Sequence, residues 1–189
     1  MDFFASKEKT NQLAEKLSKS ATDVIKKVVR IRQFAVAACT IVGITVASGA
    51  FVAGNLAGLA YNDWPWMAGK FVPLGIAEQW DQFTPRVRNV FENIAMVQFD
   101  HRMLAYTTLG VVSTMWAVAR GVRGQLPANT LFRMNCLLAA VWGQASLGVA
   151  TIMMNVPVEL GVMHQAGALT SWTLSIWLLH SLRFVRLVL

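Results

Sequence analysis

The sequence has 189 residues, of which 55% are hydrophobic and only 14% are charged, and its mean hydropathy is +0.46. Soluble domains carry about 25% charged residues, so this composition indicates a membrane protein and argues against an ordinary soluble domain. The net charge of +7 comes without a basic-aromatic platform, and Cys39 and Cys136 lie outside any C-x-x-C or C-x-x-C-H motif, which argues against nucleic-acid binding, covalent c-type haem and a zinc knuckle.

Residues 1–33 form a polar and basic segment with eight Lys or Arg and four Asp or Glu. Apolar residues recur in it at helical spacing, which predicts an amphipathic helix lying against anionic lipid headgroups. This stripe consists of Leu13, Leu17, Ala21, Val24 and Val28. The alternatives are a linker and a mitochondrial transit peptide, although transit peptides are poor in acidic residues.

Four apolar segments follow, at about 34–54, 94–119, 131–154 and 159–182. Each is long enough for the roughly 20 residues that cross a bilayer core. The loop between the first two has the aromatic residues of a membrane interface, and we interpret it as a cap over the outer end. The predicted fold is all-α: an integral membrane four-helix bundle over 34–189, with an N-terminal amphipathic or interfacial helix over 1–33 and a long outer loop.

Basic residues concentrate on one side of this predicted bundle, in the N-terminal segment, in the 120–133 turn and at the C-terminus. The positive-inside rule then places both termini on the matrix or cytoplasmic side. With that topology, the second and fourth spans both descend from the outer face.

His101 lies about seven residues into the second span and His164 about five into the fourth, so each is roughly 7–11 Å below the outer end at 1.5 Å per residue. An ionisable residue inside a membrane helix is a functional candidate by default. Two histidines at one depth on helices of one direction favour the two axial ligands of a haem iron. For either histidine alone, the alternative is a hydrogen-bonded polar residue between helices. His180 is about 24 Å deeper and cannot join the same iron.

Several neighbouring side chains are predicted to support such a site. Gln98 and Gln165 are predicted to orient the imidazoles. Arg102 is predicted to meet a haem propionate, or else to extend toward the interface as an ordinary cation. Arg86 and Arg88, in the outer loop, are weaker propionate candidates.

No other chemistry is indicated. The sequence shows no nucleophile with a base, no phosphate-binding glycine loop and no pair of carboxylates inside the membrane, so we assign no catalytic residue. Asp100 is the only acidic residue deep inside a predicted span. As the sequence neighbour of His101 it points about 100° away from it on a helix.

Several motifs resemble the C-terminal half of haem A synthase, and the similarity runs over about 31–186. They are FEN at 91–93, VQFDHR at 97–102, MHQAG at 163–167, AGLAYNDWP at 57–65 and MAG at 67–69. In that family two four-helix halves form a protein that oxidises the C8 methyl of haem O to the formyl of haem A. The resemblance implies a cofactor half that holds a non-covalent haem b between His101 and His164. The motif variants resemble the mitochondrial and alphaproteobacterial branch.

The resemblance also implies that a catalytic half lies elsewhere. In the family, a glutamate three residues before the first histidine of the other half is implicated in catalysis, whereas Gln98 occupies that position here. The 33-residue N-terminal segment cannot supply four more helices, so we expect a partner chain, or a homodimer that lacks the glutamate.

The expected function is therefore that of one subunit of a split haem A synthase, an oxidoreductase that supports cytochrome oxidase biogenesis. The expected location is the mitochondrial inner membrane, with the bacterial cytoplasmic membrane as the alternative. Two other functions stay open: a non-catalytic haem-binding or structural subunit of a respiratory complex, and a scaffold that keeps the histidines without haem.

Overall fold

The computed structural model describes the backbone of residues 2–183 and the side chains of residues 14–16 and 18–183. Regular structure in this part is helical, and the one extended pairing is an isolated bridge between Met67 and Lys70. The prediction of an all-α chain is confirmed. Two predicted stripe residues, Leu13 and Leu17, and residues 184–189 of the predicted domain lie outside the described side chains.

The part of the chain that the structure describes forms four long α-helices and two short ones. They are α1 (Asp2–Gly54), α2 (Gly75–Glu78), α3 (Asn89–Glu92), α4 (Ile94–Arg120), α5 (Thr130–Met153) and α6 (Val158–Ser181). Asn93 caps α4, because its side chain accepts a hydrogen bond from the backbone N–H of Met96 at 3.2 Å, which satisfies one of the donors left free at a helix start. The last three long helices begin and end within one residue of the predicted spans.

The first helix differs from the prediction. We expected a boundary at 33/34 between an interfacial helix and a span, but α1 continues through it. The physical reason is that no glycine or proline occurs before Gly43, so nothing in this stretch interrupts the backbone hydrogen bonds of the helix.

The long helices contact one another in a closed order, with α4 and α6 each packed against both α1 and α5. Hydroxyl groups of Thr45 and Thr108 lie 2.9 Å apart between α1 and α4. Trp116 donates to Asn135 at 2.7 Å between the end of α4 and the start of α5. Sequential neighbours therefore run antiparallel, so α4 and α6 run in the same direction on opposite sides of the array.

The buried apolar core lies at one end of these helices. Its members come from the inner part of α1, the second half of α4, the first half of α5 and the end of α6, and include Ile31, Ala35, Ala38, Val112, Met115, Ala119, Met134, Leu137, Val141, Leu178 and Leu182. Both candidate histidines lie toward the opposite end, near the starts of α4 and α6. The fold thus separates a packed apolar end from the end that carries the ionisable groups.

Two helical segments are long and apolar enough to cross a membrane by length and composition, Ala14–Gly54 and Thr130–Met153. Only 17% of the most apolar window of each is buried, so most residues of these windows keep some exposed surface. Helices α4 and α6, which we also predicted as spans, do not meet the same criterion. They carry the polar groups, including Arg102 and Asp100 on α4 and His164 on α6, and these lower their hydropathy.

Candidate functional site

His101 is held by the end of α1. Its Nδ1 lies 2.7 Å from the hydroxyl oxygen of Ser48, and that hydroxyl donates to the backbone carbonyl of Thr45 at 2.8 Å. A serine hydroxyl has one proton, so it accepts a hydrogen bond from His101 Nδ1–H. The tautomer that follows leaves Nε2 with a free lone pair, as a metal ligand requires.

His164 is held by α5 in a different way. Nε2 of Gln144 lies 3.0 Å from His164 Nδ1 and donates to the backbone carbonyl of His164 at 2.7 Å. An amide nitrogen only donates, so Nδ1 of His164 accepts here. The backbone carbonyl of Gln144 also interacts with the ring, and it can accept from Nδ1–H in the other tautomer.

A glycine faces each imidazole from the supporting helix. A Cβ atom at Gly49 would lie 3.2 Å from Cε1 of His101, and one at Gly148 would lie 2.8 Å from Cε1 of His164. In both helix pairs the glycine comes four residues after a backbone carbonyl that interacts with the same ring, that of Thr45 for His101 and that of Gln144 for His164. The two rings are therefore supported in the same way. We call each arrangement of an imidazole, a glycine and a backbone carbonyl a ring seat: His101 with Gly49 and Thr45, and His164 with Gly148 and Gln144.

The two rings belong to one region of the molecule. His101 lies seven residues after the start of α4 and His164 six residues after the start of α6, which is about 10 Å and 9 Å along the parallel helices. Because α4 and α6 run in the same direction and each contacts both α1 and α5, the two rings lie at a similar level of the array.

The predicted supporting residues of α4 bind the outer loop. Gln98 and Arg102 are 2% and 7% exposed, respectively. Gln98 Nε2 and an Arg102 nitrogen both donate at 3.0 Å to the backbone carbonyl of Tyr61, and Arg102 also donates to the carbonyl of Trp66 at 2.9 Å. Within the described residues, neither side chain hydrogen-bonds to a histidine.

The loop segment that Arg102 binds is also closed by Asp63. Its two carboxylate oxygens accept from the backbone N–H groups of Ala68 and Gly69, each at 3.1 Å. Burial acts to raise the pKa of Asp63, but these hydrogen bonds, with the nearby charge of Arg102, outweigh it, so the pKa lies below its usual value. The 61–70 segment is therefore an ordered loop that hydrogen bonds attach to α4.

The remaining predicted residues lie apart from the two rings. Gln165 is exposed and makes no hydrogen bond within the described part of the chain. Arg88 forms an ion pair with Glu92 at 2.6 Å on the surface, which raises the pKa of Arg88 and lowers that of Glu92 through the hydrogen bond between them. His180 lies at the opposite end of α6, 3.1 Å from Arg183.

The donor set suits a group that brings most of its own ligands. Among the described residues no three His, Cys, Asp or Glu side chains cluster as a metal site. Cys39 and Cys136 are half-buried and form no disulfide. A haem needs only two axial donors from the protein. His101 fits that requirement in the arrangement described, and His164 fits it once its Nδ1 carries the proton.

Sequence reasoning missed the residues that contact the rings. Ser48 and Gln144, and not Gln98 or Gln165, lie at hydrogen-bonding distance from the imidazoles. The available signal was the glycine in each supporting helix, Gly49 and Gly148. A small residue facing a histidine of the next helix leaves room for a ring.

A family model described as cytochrome oxidase assembly protein, COX15-CtaA, matches residues 9–176. The bovine protein named Heme A synthase COX15 is 39% identical over 160 residues, which cover 85% of this chain and 37% of the relative. The human protein of that name is 40% identical over 159 residues, covering 84% and 37%. Heme A synthase of Nitrosospira multiformis is 42% identical over 147 residues, covering 76% and 38%.

The chain thus spans little more than a third of the length of these relatives. No solved structure matches it.

Proposed function

This chain belongs to the COX15-CtaA family of cytochrome oxidase assembly proteins, and from that premise we propose that it is a membrane haem b-binding unit in haem A biosynthesis. It corresponds, in this proposal, to the C-terminal, cofactor half of haem A synthase of the mitochondrial and alphaproteobacterial type. Family membership supports the biosynthetic role, and the motifs around the two histidines support the choice of half.

The observation that carries the proposal is the matched pair of ring seats. Each of His101 and His164 lies against a glycine of the supporting helix, on parallel helices and at the same depth. A haem bound there supplies a one-electron redox centre. The protein's part is to fix both ring orientations through Nδ1 and to keep water from the rings.

The two histidines fit that role unequally. His101 has the ligating tautomer already, because Ser48 accepts from its Nδ1–H. His164 offers Nε2 as a ligand once Nδ1 carries the proton, and the carbonyl of Gln144 is the acceptor available to it. Iron binding at His164 thus includes the loss of the Gln144 hydrogen bond to Nδ1.

We propose that α1, α4, α5 and α6 form a four-helix membrane bundle with both termini on the matrix side. The outward apolar surfaces of α1 and α5 support insertion, and the basic residues of the 120–133 turn support the orientation. In this arrangement the buried polar side chains of the other two helices, such as Gln98 of α4 and Ser171 of α6, lie away from the lipid. The mitochondrial inner membrane is the proposed location, with the bacterial cytoplasmic membrane as the alternative.

The catalytic half of the relatives must be supplied by other polypeptide, either a separate partner chain or further sequence joined to this one. Gln98 stands where the family's catalytic glutamate is expected, and its side chain binds the outer loop. This favours a supporting, electron-carrying role for the chain. The same observation keeps a second candidate, a non-catalytic haem-binding or structural subunit of a respiratory complex, which would co-purify with that complex and show no haem O oxidation.

Reduced-minus-oxidised spectra of the purified chain loaded with haem b test the proposal. The wild type and His180→Ala, a control at the far end of α6, should each bind one haem with a low-spin bis-imidazole spectrum. His101→Ala and His164→Ala should each lose that spectrum. An unchanged spectrum in either variant would overturn the ligand assignment, and co-purification of a second four-helix chain would identify the partner.

A further inference from the structure

A cavity of about 440 Å³ lies between α1 and α4, and neither histidine lines it. Small-molecule sites usually occupy 300–1,000 Å³. Its walls are apolar and include the rings of Phe51 and Phe91, whose centroids are 5.1 Å apart. Only three polar side chains reach it: Ser48, Asp100 and Thr107.

These three polar groups offer hydrogen-bond acceptors to a ligand. The Ser48 hydroxyl donates a hydrogen bond to the carbonyl of Thr45, and the Thr107 hydroxyl donates one to the carbonyl of Met103, each at 2.8 Å. The Asp100 carboxyl group, in its ionised form, only accepts. A molecule with O–H or N–H donors on a largely apolar body therefore complements this cavity.

Asp100 is the polar group of the cavity that most favours such an occupant. Within the described residues it has no hydrogen bond or ion pair, and it is only half-buried. It lies six residues after the start of α4, or about 9 Å along the helix. An unpartnered carboxylate at that depth of a membrane is costly, so a donor placed beside it would stabilise the folded chain.

We propose that this cavity binds a lipophilic hydroquinone, an uncharged aromatic ring with two O–H donors and an apolar tail. The ring suits Phe51 and Phe91, and an uncharged head enters the membrane at lower cost than the ammonium of an aminophospholipid. A hydroquinone at Ser48 would be separated from the His101 imidazole by that single side chain. The proposal rests on the membrane placement proposed above and does not require haem.

Calorimetric titration of the purified chain in phosphatidylcholine nanodiscs, with decylubiquinol and with decylubiquinone, tests this. The hydroquinone should bind at least about tenfold more tightly, because the quinone presents acceptors to acceptors. Asp100→Asn should weaken hydroquinone binding about tenfold, because one acceptor oxygen is replaced by an amide donor. The difference in affinity between hydroquinone and quinone should become smaller, because that donor can bond to a quinone oxygen. Asp81→Asn, the same charge change on the exposed outer loop, should leave both affinities unchanged. Ala47→Phe, on the cavity wall, should abolish binding of both.

Equal affinities for the two redox forms, full binding by Asp100→Asn, or binding retained in Ala47→Phe would each overturn the proposal. Nanodiscs containing phosphatidylethanolamine form a further arm, and loss of hydroquinone binding there would assign the cavity to lipid. Circular dichroism of each variant verifies folding. Haem spectra recorded on the same samples separate the two proposals. If the wild-type chain binds hydroquinone but no haem, only the haem assignment is overturned. If it binds haem but no hydroquinone, only the hydroquinone proposal is overturned.

Discussion

The two histidine seats use one backbone design with different side chains. In each, a carbonyl and a glycine four residues later on the supporting helix face the ring, from α1 for His101 and from α5 for His164. Ser48 accepts a hydrogen bond from the first ring, whereas Gln144 donates a hydrogen bond to the second. The carbonyl and the glycine, four residues apart on the supporting helix, therefore determine where each ring lies. The nearby side chain determines which ring nitrogen carries the proton.

The surroundings of the two seats differ as well. On α4, Gln98 and Arg102 next to His101 are buried under the 61–70 loop and hold its carbonyls. On α6, Gln165 next to His164 is exposed. The α4 seat is thus fixed before any ligand binds, and the α6 seat is the one whose hydrogen bonds must change.

The largest effect should come from adding a methyl group to each seat in turn. Gly148→Ala places a Cβ 2.8 Å from His164 Cε1 and must move the ring, while Gly49→Ala places one at 3.2 Å from His101 and requires a smaller shift. Overpacking of this kind costs about 1–3 kcal/mol, which corresponds to about a 5- to 150-fold loss of haem affinity. The loss should lie near the upper end of this range for Gly148→Ala and near the lower end for Gly49→Ala. Haem titration followed by absorbance measures both.

Gly143→Ala is the matched control on α5, because a Cβ there meets nothing within 4 Å. It should leave haem binding unchanged and stabilise the helix by up to about 1 kcal/mol. If Gly49→Ala weakened binding more than Gly148→Ala, the α4 seat would be the tighter one, and the comparison would be reversed.

A second experiment removes the side chain that sets each proton. Ser48→Ala takes away the acceptor of His101 Nδ1–H and should weaken haem binding by about 10- to 100-fold, as outer hydrogen-bond partners of ligating histidines usually do. Gln144→Ala should have a smaller effect, because the Gln144 side chain donates to the ring of His164 and is not the acceptor of an Nδ1–H group. Ser146→Ala, whose hydroxyl bonds to its own helix at Trp142, is the control. A greater loss in Gln144→Ala would show that its side chain, and not its carbonyl, supports the ligating ring.

Much of the fold follows from local signals in the sequence. Asn93 before an apolar run predicts the start of α4, and the turn at 154–157 predicts the break between α5 and α6. The contacts at the rings do not follow, because Ser48 and His101 are 53 residues apart, and only the rotation of α1 about its axis brings them together. Arg102 shows the same limit: composition marks it as an intramembrane cation, but its partners are carbonyls of a loop whose path the sequence does not reveal.

Arg102 gives a third test of the difference between the seats, in which the effect falls on the loop and not on haem binding. Arg102→Met removes the hydrogen bonds that Arg102 donates to the carbonyls of Tyr61 and Trp66. The free energy of local opening of the loop should therefore fall by about 1–3 kcal/mol. Hydrogen exchange over 61–70 should rise by about 5- to 150-fold, with haem stoichiometry unchanged. Arg86→Met, on the exposed part of the loop, should change neither. Haem loss without faster exchange would instead support the predicted propionate contact.

The smallest effect concerns pH, because the loop over the α4 seat contains an acid with a perturbed pKa. The pKa of Asp63 is lowered in the folded chain, so the carboxylate contributes stability above its unfolded pKa of about 3.9, and this is lost as pH falls through the folded value. Hydrogen exchange at Ala68 and Gly69, corrected for the intrinsic rate, should therefore rise below about pH 4 in the wild type. Asp63→Asn keeps one acceptor oxygen but cannot titrate, so its corrected exchange should stay flat with pH. An equal acid dependence in the variant would place the titrating group elsewhere and leave the loop fixed by Arg102 alone.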